Sequence, residues 1–562
     1  MAAAAIVPNG PLPGGPPIAP IAHGACCGYA SCMKLYRAFA TVGALTMVSR
    51  VAGFVRDVLI ASVLGTGVVA EAFFAALRFP NLFRRLFAEG AFNAAFVPMF
   101  ARRLEQQGPD AARRLAEEAM AGLALVLTLL SALAMIAMPW FTLVNAPGFS
   151  EDPAKFDLTV ALTRITFPYL ACMSAVALLS GVLNSLKQFA AAAAAPILLN
   201  VVLISAILAA KLLDLGPSAF TGQLLASGVA LAGLAQVALV WMAARRRGFT
   251  ILPRLPRLSL DMRELVRLGV PGLIAGGVTQ INIMVGGMIA SFAAGAVSFL
   301  YYADRLYQLP LGVVGVAIGV VLLPEITARL AAGDEASALD SQNRSLEFAL
   351  LLTLPAAIGL ALAAEPIVRL LYERGAFTAS DTTATAWALA AYAWGLPAFV
   401  LQKVLQPGFF ARSDTRTPMR FALINLVANV ALSLALFFGF QKLGLMPHVG
   451  LAIATTLAGW LNTILLWTTL AKRGHFALDA TARRIVPRLL VASALMAAAL
   501  AVASHVAGAW VVPGAGLAVK SAAVAAIVLT GITSFAVAAE LLGAVRWRSI
   551  AGSLRRSRRG PS

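Results

Sequence analysis

Charged side chains set deep in apolar sequence are the residues best placed to do chemistry in this chain. The stretch TMVSRVAGFVRDVLIAS carries Arg50, Arg56 and Asp57, and AEAFFAALRFPNLFRRLFAEGAFNAAFVP carries Glu71, Arg78, Arg84, Arg85 and Glu89. A third stretch, YYADRLYQLP, adds Asp304 and Arg305. An ionised group at the centre of a bilayer costs roughly 2.5–3.5 kcal/mol on insertion scales, so such residues persist where they face water or meet a partner. Guanidinium is a planar fork of donors matched to phosphate or carboxylate. The chemistry these residues suit is recognition of an anion inside the membrane.

Spacing sorts their roles. Asp57 lies seven residues from Arg50 and so on about the same helical face, while Arg56 lies six from it, nearly two turns away. Arg56 and Asp57 are neighbours pointing about 100° apart, which rules out a direct pair between them on one helix. Arg84 sits well inside the second stretch, where Pro80 loosens the helix. Asp57 and Asp304 are expected to hold arginines in place rather than to carry protons. Arg78 and Arg85 either snorkel or pair with Glu71 or Glu89.

Catalysis has no comparable support. Metal-assisted hydrolysis or group transfer needs clustered carboxylates or a His/Ser set at a water-facing edge, and ATP chemistry needs a phosphate loop. Neither pattern occurs. Cys26, Cys27, Cys32 and Cys172 show no zinc or redox spacing, and the four His include His23 near the start and three near helix ends. The chain reads as a non-enzyme without a metal or cofactor.

The elements that must position these charges follow from composition. The 562 residues are 60% hydrophobic and 12% charged, with a mean hydropathy of +0.84, whereas a soluble domain averages about 25% charged. This is an all-α polytopic membrane protein. Fourteen apolar segments reach the length of about 20 residues that a span requires: 37–64, 68–100, 117–144, 157–186, 191–213, 220–244, 265–294, 297–325, 346–368, 382–405, 419–440, 448–471, 486–509 and 517–543. The +19 net charge is concentrated in loops at one end rather than pointing to nucleic acid. Arg102, Arg103, Arg113, Arg114, Arg245, Arg246, Arg247, Arg254, Arg257, Lys472, Arg473, Arg483, Arg484 and the tail arginines all fall on the side of the N-terminus, which places both termini in the cytoplasm.

A repeat divides the chain. Gly43 matches Gly269 and Pro98 matches Pro324, both 226 residues on, and Asn200 matches Asn425, 225 residues on. Six spans fit in that period, an even number, so the two halves are parallel, a transporter architecture. The expected organisation is a disordered extension at 1–32, a six-helix lobe at 33–247, a second at 258–473, a helix pair at 482–545 and a basic tail at 546–562. The two pseudo-symmetric lobes would surround a central cavity.

The motifs SRVAGFVRDVLIASVLGTG, AEAFFAALRFPNLFRRLFAEGAFNAAFVPMF, SFLYYADRLYQLPLGVVGVAIGVVLLPEI and PGFFARSDTRTP resemble the MurJ (MviN) family of bacterial lipid II flippases, within the MOP exporter superfamily. The resemblance runs from about residue 33 to the end. It implies that Ser49, Arg50, Arg56, Asp57, Arg84 and Arg305 bind substrate, supported by Glu71, Arg78, Arg85, Glu89 and Asp304. Glu71 stands where the family often has Asp. It further implies a groove for a lipid tail on the last two helices, an inner-membrane location, and lipid II, membrane lipids and other cell-wall synthesis proteins as partners. The membrane potential and a coupling cation are the driving forces compatible with it. Another superfamily exporter, moving a polysaccharide lipid or exchanging drugs for cations, is the alternative. A drug antiporter calls for carboxylates and aromatics rather than this arginine excess. A scaffold needs no buried charge, and a glycosyltransferase needs acidic ligands at a loop.

Overall fold

The computed structural model describes residues 27–88, 91–252, 254–256, 259–512 and 514–545. Among the described residues the regular structure is helical throughout. The first half holds α1 (Cys27–Leu64), α2 (Val68–Ala88), α3 (Ala91–Gln107), α4 (Pro109–Ile136), α5 (Met138–Asn145), α6 (Pro153–Thr166), α7 (Tyr169–Ser185), α8 (Phe189–Leu212) and α9 (Ala219–Arg246). The second holds α10 (Leu260–Ala290), α11 (Ala296–Ala331), α12 (Glu335–Leu362), α13 (Ala364–Tyr372), α14 (Ala379–Ala393), α15 (Leu396–Phe410), α16 (Arg416–Lys442) and α17 (Pro447–Lys472). Two more, α18 (Ala480–Gly508) and α19 (Leu517–Leu541), pack on each other.

Long apolar runs make these helices, and proline and small polar residues end them. Pro139, Pro168 and Pro397 stand beside the breaks between α4 and α5, α6 and α7, and α14 and α15, where a missing N–H interrupts the ladder. Asp152, Ser218, Ser259, Asp334 and Asp479 cap helix starts with side-chain oxygens, and Thr378 forms a reciprocal capping box with Asp381. In the turn before α16, hydrogen bonds from Thr417, with Arg473 close by, hold the Asp414 carboxyl well below the usual carboxylate range.

Ten helical segments among the described residues are long and apolar enough to cross a membrane, and they coincide with ten of the fourteen expected spans. The other four, 37–64, 68–100, 265–294 and 297–325, are helical in α1, α2 with α3, α10 and α11. Three of those four hold the ionisable residues. Helix α1 starts at Cys27, inside the stretch expected to be a disordered extension. The rest of that extension and the basic tail lie outside the described residues.

One order of packing occurs twice. Helix α1 packs on α8, α8 on α9, α7 on α9 and α2 on α7; likewise α10 packs on α16, α16 on α17, α15 on α17 and α11 on α15. The α18–α19 pair leans on α12 and α13, tied by Lys520 to Glu373 at 3.4 Å and by Arg369 donating to the Val511 carbonyl at 2.7 Å. The two halves meet tightly at one end. There Thr66 donates to Asp381 at 2.6 Å, the Ala376 N–H to the Ser62 carbonyl at 2.9 Å, and the Tyr302 hydroxyl to the Gly65 carbonyl at 3.0 Å. Gly65 and Gly375 have positive φ, and a Cβ on either would sit 2.4 or 2.1 Å from a carbonyl oxygen of the opposing segment. Glycine is required at both places by close approach as well as by conformation. Beneath them Tyr302 packs in an aromatic knot with Phe74, Tyr372 and Phe377, with ring centroids 5.0–5.5 Å apart.

Candidate functional site

Asp57 is the centre. Its carboxylate is 2% exposed and collects donors from its own helix α1 and from α11. Oδ1 accepts from Arg56 Nη2 at 2.8 Å, Arg56 Nε at 3.0 Å and the Tyr301 hydroxyl at 3.2 Å, while Oδ2 meets Arg305 Nε at 3.1 Å. The expectation that Arg56 and Asp57 could not pair is overturned. Helical neighbours do diverge at Cβ, but the three methylenes of arginine let its head fold back along its own helix to the short carboxylate. Asp57 does hold arginines in place, and it takes one from each half of the chain.

Further contacts aim the two guanidinium groups. Arg56 Nη1 donates to Asn200 Oδ1 of α8 at 2.9 Å, and Asn200 Nδ2 donates to the Ser49 carbonyl at 2.9 Å. Gly53 leaves room for that amide, which lies 3.5 Å from where a Cβ would be. Arg305 Nη2 donates to the Tyr301 hydroxyl at 3.0 Å, and its guanidinium lies 4.8 Å from the centre of the same ring. Tyr301 is in turn stacked on Phe74 at 3.9 Å. Arg56 and Arg305 keep 11% and 33% of their side chains exposed, against 2% for Asp57. Two cations and one anion leave the cluster with one net positive charge.

The remaining expected residues divide. Arg50 is exposed and lies across α11, its Nη1 2.3 Å from where a Gly312 Cβ would be. Ser49 contributes its carbonyl to the network. Arg78 lies against Gly287 of α10 and reaches the Asn145 carbonyl at 3.4 Å. Glu71 bonds to Lys155 of α6 and accepts the Val297 N–H at the start of α11 at 3.1 Å. Its partner is thus Lys155 and neither Arg78 nor Arg85, because the fold brings α6 rather than the next turn of α2 to the carboxylate. Asp304 accepts from Gln308 one turn on and feels the charge of Arg85. The Arg84 side chain and the whole of Glu89 lie outside the described residues.

Three participants escaped the sequence reading. Tyr301 is one aromatic among several in its stretch, and Lys155 lies outside the stretches that hold the charges singled out. Asn200 had been noticed only as a repeat match. Nothing in local spacing says that Asn200 meets Arg56, 144 residues away.

At the end away from the Thr66–Asp381 contact, three arginines pair with carboxylates. Arg103 bonds to Asp261, Arg102 to Glu264 at 3.2 Å and Arg254 to Glu117 at 2.6 Å. Of these, only Arg102–Glu264 is solvent-facing on both sides, a kind of pair that contributes about 0–1 kcal/mol, while Glu117 is 2% exposed and Arg103 and Asp261 are half-buried. As a unit, the arrangement can hold an anion between two halves of a membrane protein.

The family model described as "Lipid II flippase MurJ" matches residues 60–517. A Rhizobium tropici protein named as a probable lipid II flippase MurJ is 47% identical over 531 residues, covering 94% of this chain and 98% of that one. A Rhizobium meliloti protein of the same name is 51% identical over 472 residues, covering 84% and 87%. Among solved structures, a MurJ lipid II flippase in an inward closed conformation superposes with a TM-score of 0.72 at 23% identity, over 91% of this chain and 99% of that one. An inward-facing MATE multidrug transporter of the MOP superfamily gives 0.64 at 14% identity, over 78% and 98%. These two likenesses concern the fold.

Proposed function

Because the chain belongs to the lipid II flippase MurJ family, we propose that it carries lipid II, an undecaprenyl-diphosphate-linked disaccharide pentapeptide, from the inner to the outer leaflet of a bacterial cytoplasmic membrane. The observation that carries this reading is the carboxylate of Asp57 shared by Arg56 of α1 and Arg305 of α11. A diphosphate cannot cross hydrocarbon bare, since stripping its water is prohibitive. Guanidinium groups at mid-membrane depth replace that water with fixed donors, while the polyprenyl tail stays in lipid.

The helices group as fourteen spans: six from α1 to α9, six from α10 to α17, and the α18–α19 pair. The doubled order of packing supports two lobes around a cavity. So does a matched side-chain contact. Asn282 stands 226 residues after Arg56 (282 − 56), and Asn429, rather than the Asn425 that the repeat matches to Asn200, donates to it at 2.7 Å as Asn200 accepts from Arg56. The second lobe therefore has an uncharged version of the contact that the first lobe has charged. With both termini cytoplasmic, the end closed by Thr66, Ser62 and Tyr302 faces outward, and transport alternates by rocking the lobes about the arginine site. A cation antiporter of the same superfamily is the weaker reading, because carboxylates here are spent on arginines.

Arg305→Ala and Arg56→Ala are expected to abolish lipid II transfer in proteoliposomes and growth complementation of a depleted strain, with the protein still inserted. Alanine variants at both sites that express well and complement would remove the proposal.

A further inference from the structure

Helices α18 and α19 have no counterpart in the 226-residue repeat, yet polar groups tie them to the segment that closes one end of the molecule. Glu373 is the meeting point. Its side chain is 8% exposed; Oε2 accepts from Arg369 Nε at 2.9 Å and from the Thr382 hydroxyl at 2.9 Å, and Oε1 accepts from Lys520 Nζ of α19 at 3.4 Å. Lys520 is itself buried. Arg369 reaches past Glu373 to the Val511 carbonyl, in the connection between α18 and α19, at 2.7 Å. Beside these ties, Ile367 and Leu370 of α13 pack on Val511, Ala523 and Val524.

The same carboxylate stands next to both contacts that join the halves. Two residues on from it is Gly375, whose backbone meets Ser62, followed by Ala376, which donates its N–H to the Ser62 carbonyl at 2.9 Å. Thr382, its hydroxyl partner, is the neighbour of Asp381, which accepts from Thr66 at 2.6 Å. Glu373 thus holds the α13–α14 turn from both sides. A buried carboxylate that loses a partner moves toward another partner or toward water, since its charge cannot stand bare in apolar surroundings. Removing the helix pair from α13 therefore displaces the turn.

At their far end these helices are held elsewhere. Arg344 of α12 bonds to Asp479 at the start of α18, and Asn343 donates to the Ala477 carbonyl at 3.0 Å. From Arg344 to Leu362, the last residue of α12, is 18 residues (362 − 344), about 27 Å along the helix.

We infer that the α18–α19 pair is a brace for the closed end, acting through Glu373 as a positioning residue. Seated on α13, the pair holds the α13–α14 turn against the end of α1; lifted from α13, it lets the two halves part there. Nothing in this coupling depends on what is carried, so it stands or falls apart from the proposed function.

Hydrogen–deuterium exchange of the purified full-length protein in nanodiscs tests it, read at residues 374–377 and, on the first half, at 64–67. Lys520→Met leaves Glu373 with Arg369 and Thr382. Both segments are expected to exchange about fivefold faster or more in this variant, the low end of coupling between distinct sites, and Lys520→Arg to restore the wild-type rates. Arg344→Gln, which frees the far end of the same pair, is expected to leave both segments at the wild-type rate. Faster exchange confined to 374–377 is fraying of α13 alone and overturns the brace. Wild-type rates at both segments in Lys520→Met overturn it too, as does an equal acceleration in Arg344→Gln. Where Lys520→Met does not fold, Lys520→Gln carries the same comparison.

Discussion

A carboxylate gripped by two guanidinium groups holds them apart and parallel, as one phosphoryl group of a diphosphate would. At Asp57 the bound arginines come from α1 and α11, so the side chain joins the two halves of the chain. Tyr301 belongs to this arrangement, since its hydroxyl donates to Asp57 while accepting from Arg305. Hydrogen bonds to charged groups contribute about 1.5–3 kcal/mol, so Tyr301→Phe is expected to lower lipid II affinity about tenfold or more. The ring and its stacking on Phe74 remain, and the melting temperature should hardly move. Lys155 offers the opposite case. Its ion pair with Glu71 is buried on both sides, and Lys155→Met strands a carboxylate that keeps only the Val297 N–H. A loss of about 3–5 kcal/mol in stability is expected by thermal denaturation in detergent. The double variant with Glu71→Gln should recover most of it, because both charges are then gone.

Among the elements, the closed end depends on backbone against backbone. Gly375 has φ 59° and would place a Cβ 2.1 Å from the Ser62 carbonyl. Gly375→Ala therefore has to push the α13–α14 turn away from the end of α1, besides costing about 1 kcal/mol for the left-handed conformation. Disulfide trapping of a Thr66→Cys/Asp381→Cys pair should fall sharply in this background. Gly474→Ala is the control: its φ is 72° with nothing within 4 Å of the new methyl, so trapping should stay at the wild-type level. The opposite end lacks such contacts among the described residues and is joined through side chains, with Arg102–Glu264 solvent-facing and Arg103–Asp261 half-buried.

For the molecule as a whole, charge is the quantity that matters. The Asp57 cluster has one surplus positive charge, from Arg56 and Arg305 against Asp57. An anionic head moving outward against an interior-negative potential gains about 2.3 kcal/mol per charge per 100 mV. Transfer in liposomes clamped with potassium and valinomycin should thus accelerate when the interior is made negative and slow when the gradient is reversed. Transfer indifferent to potential would mean that the bound head travels fully neutralised. Much of this protein was legible in its residues alone. Apolar length determined that the chain crosses the membrane many times, the 226-residue period agrees with the doubled order of packing, and arginine in apolar sequence called for water or a partner. These properties are local or periodic, and burial cost acts on each residue where it stands. Pairing was decided elsewhere. That Arg305 meets Asp57, that Asn200 and Tyr301 aim the guanidinium groups and that Lys155 answers Glu71 all depend on which helices the fold lays together. A side chain's partner lies across a helix interface rather than along its own helix, and only packing selects that interface.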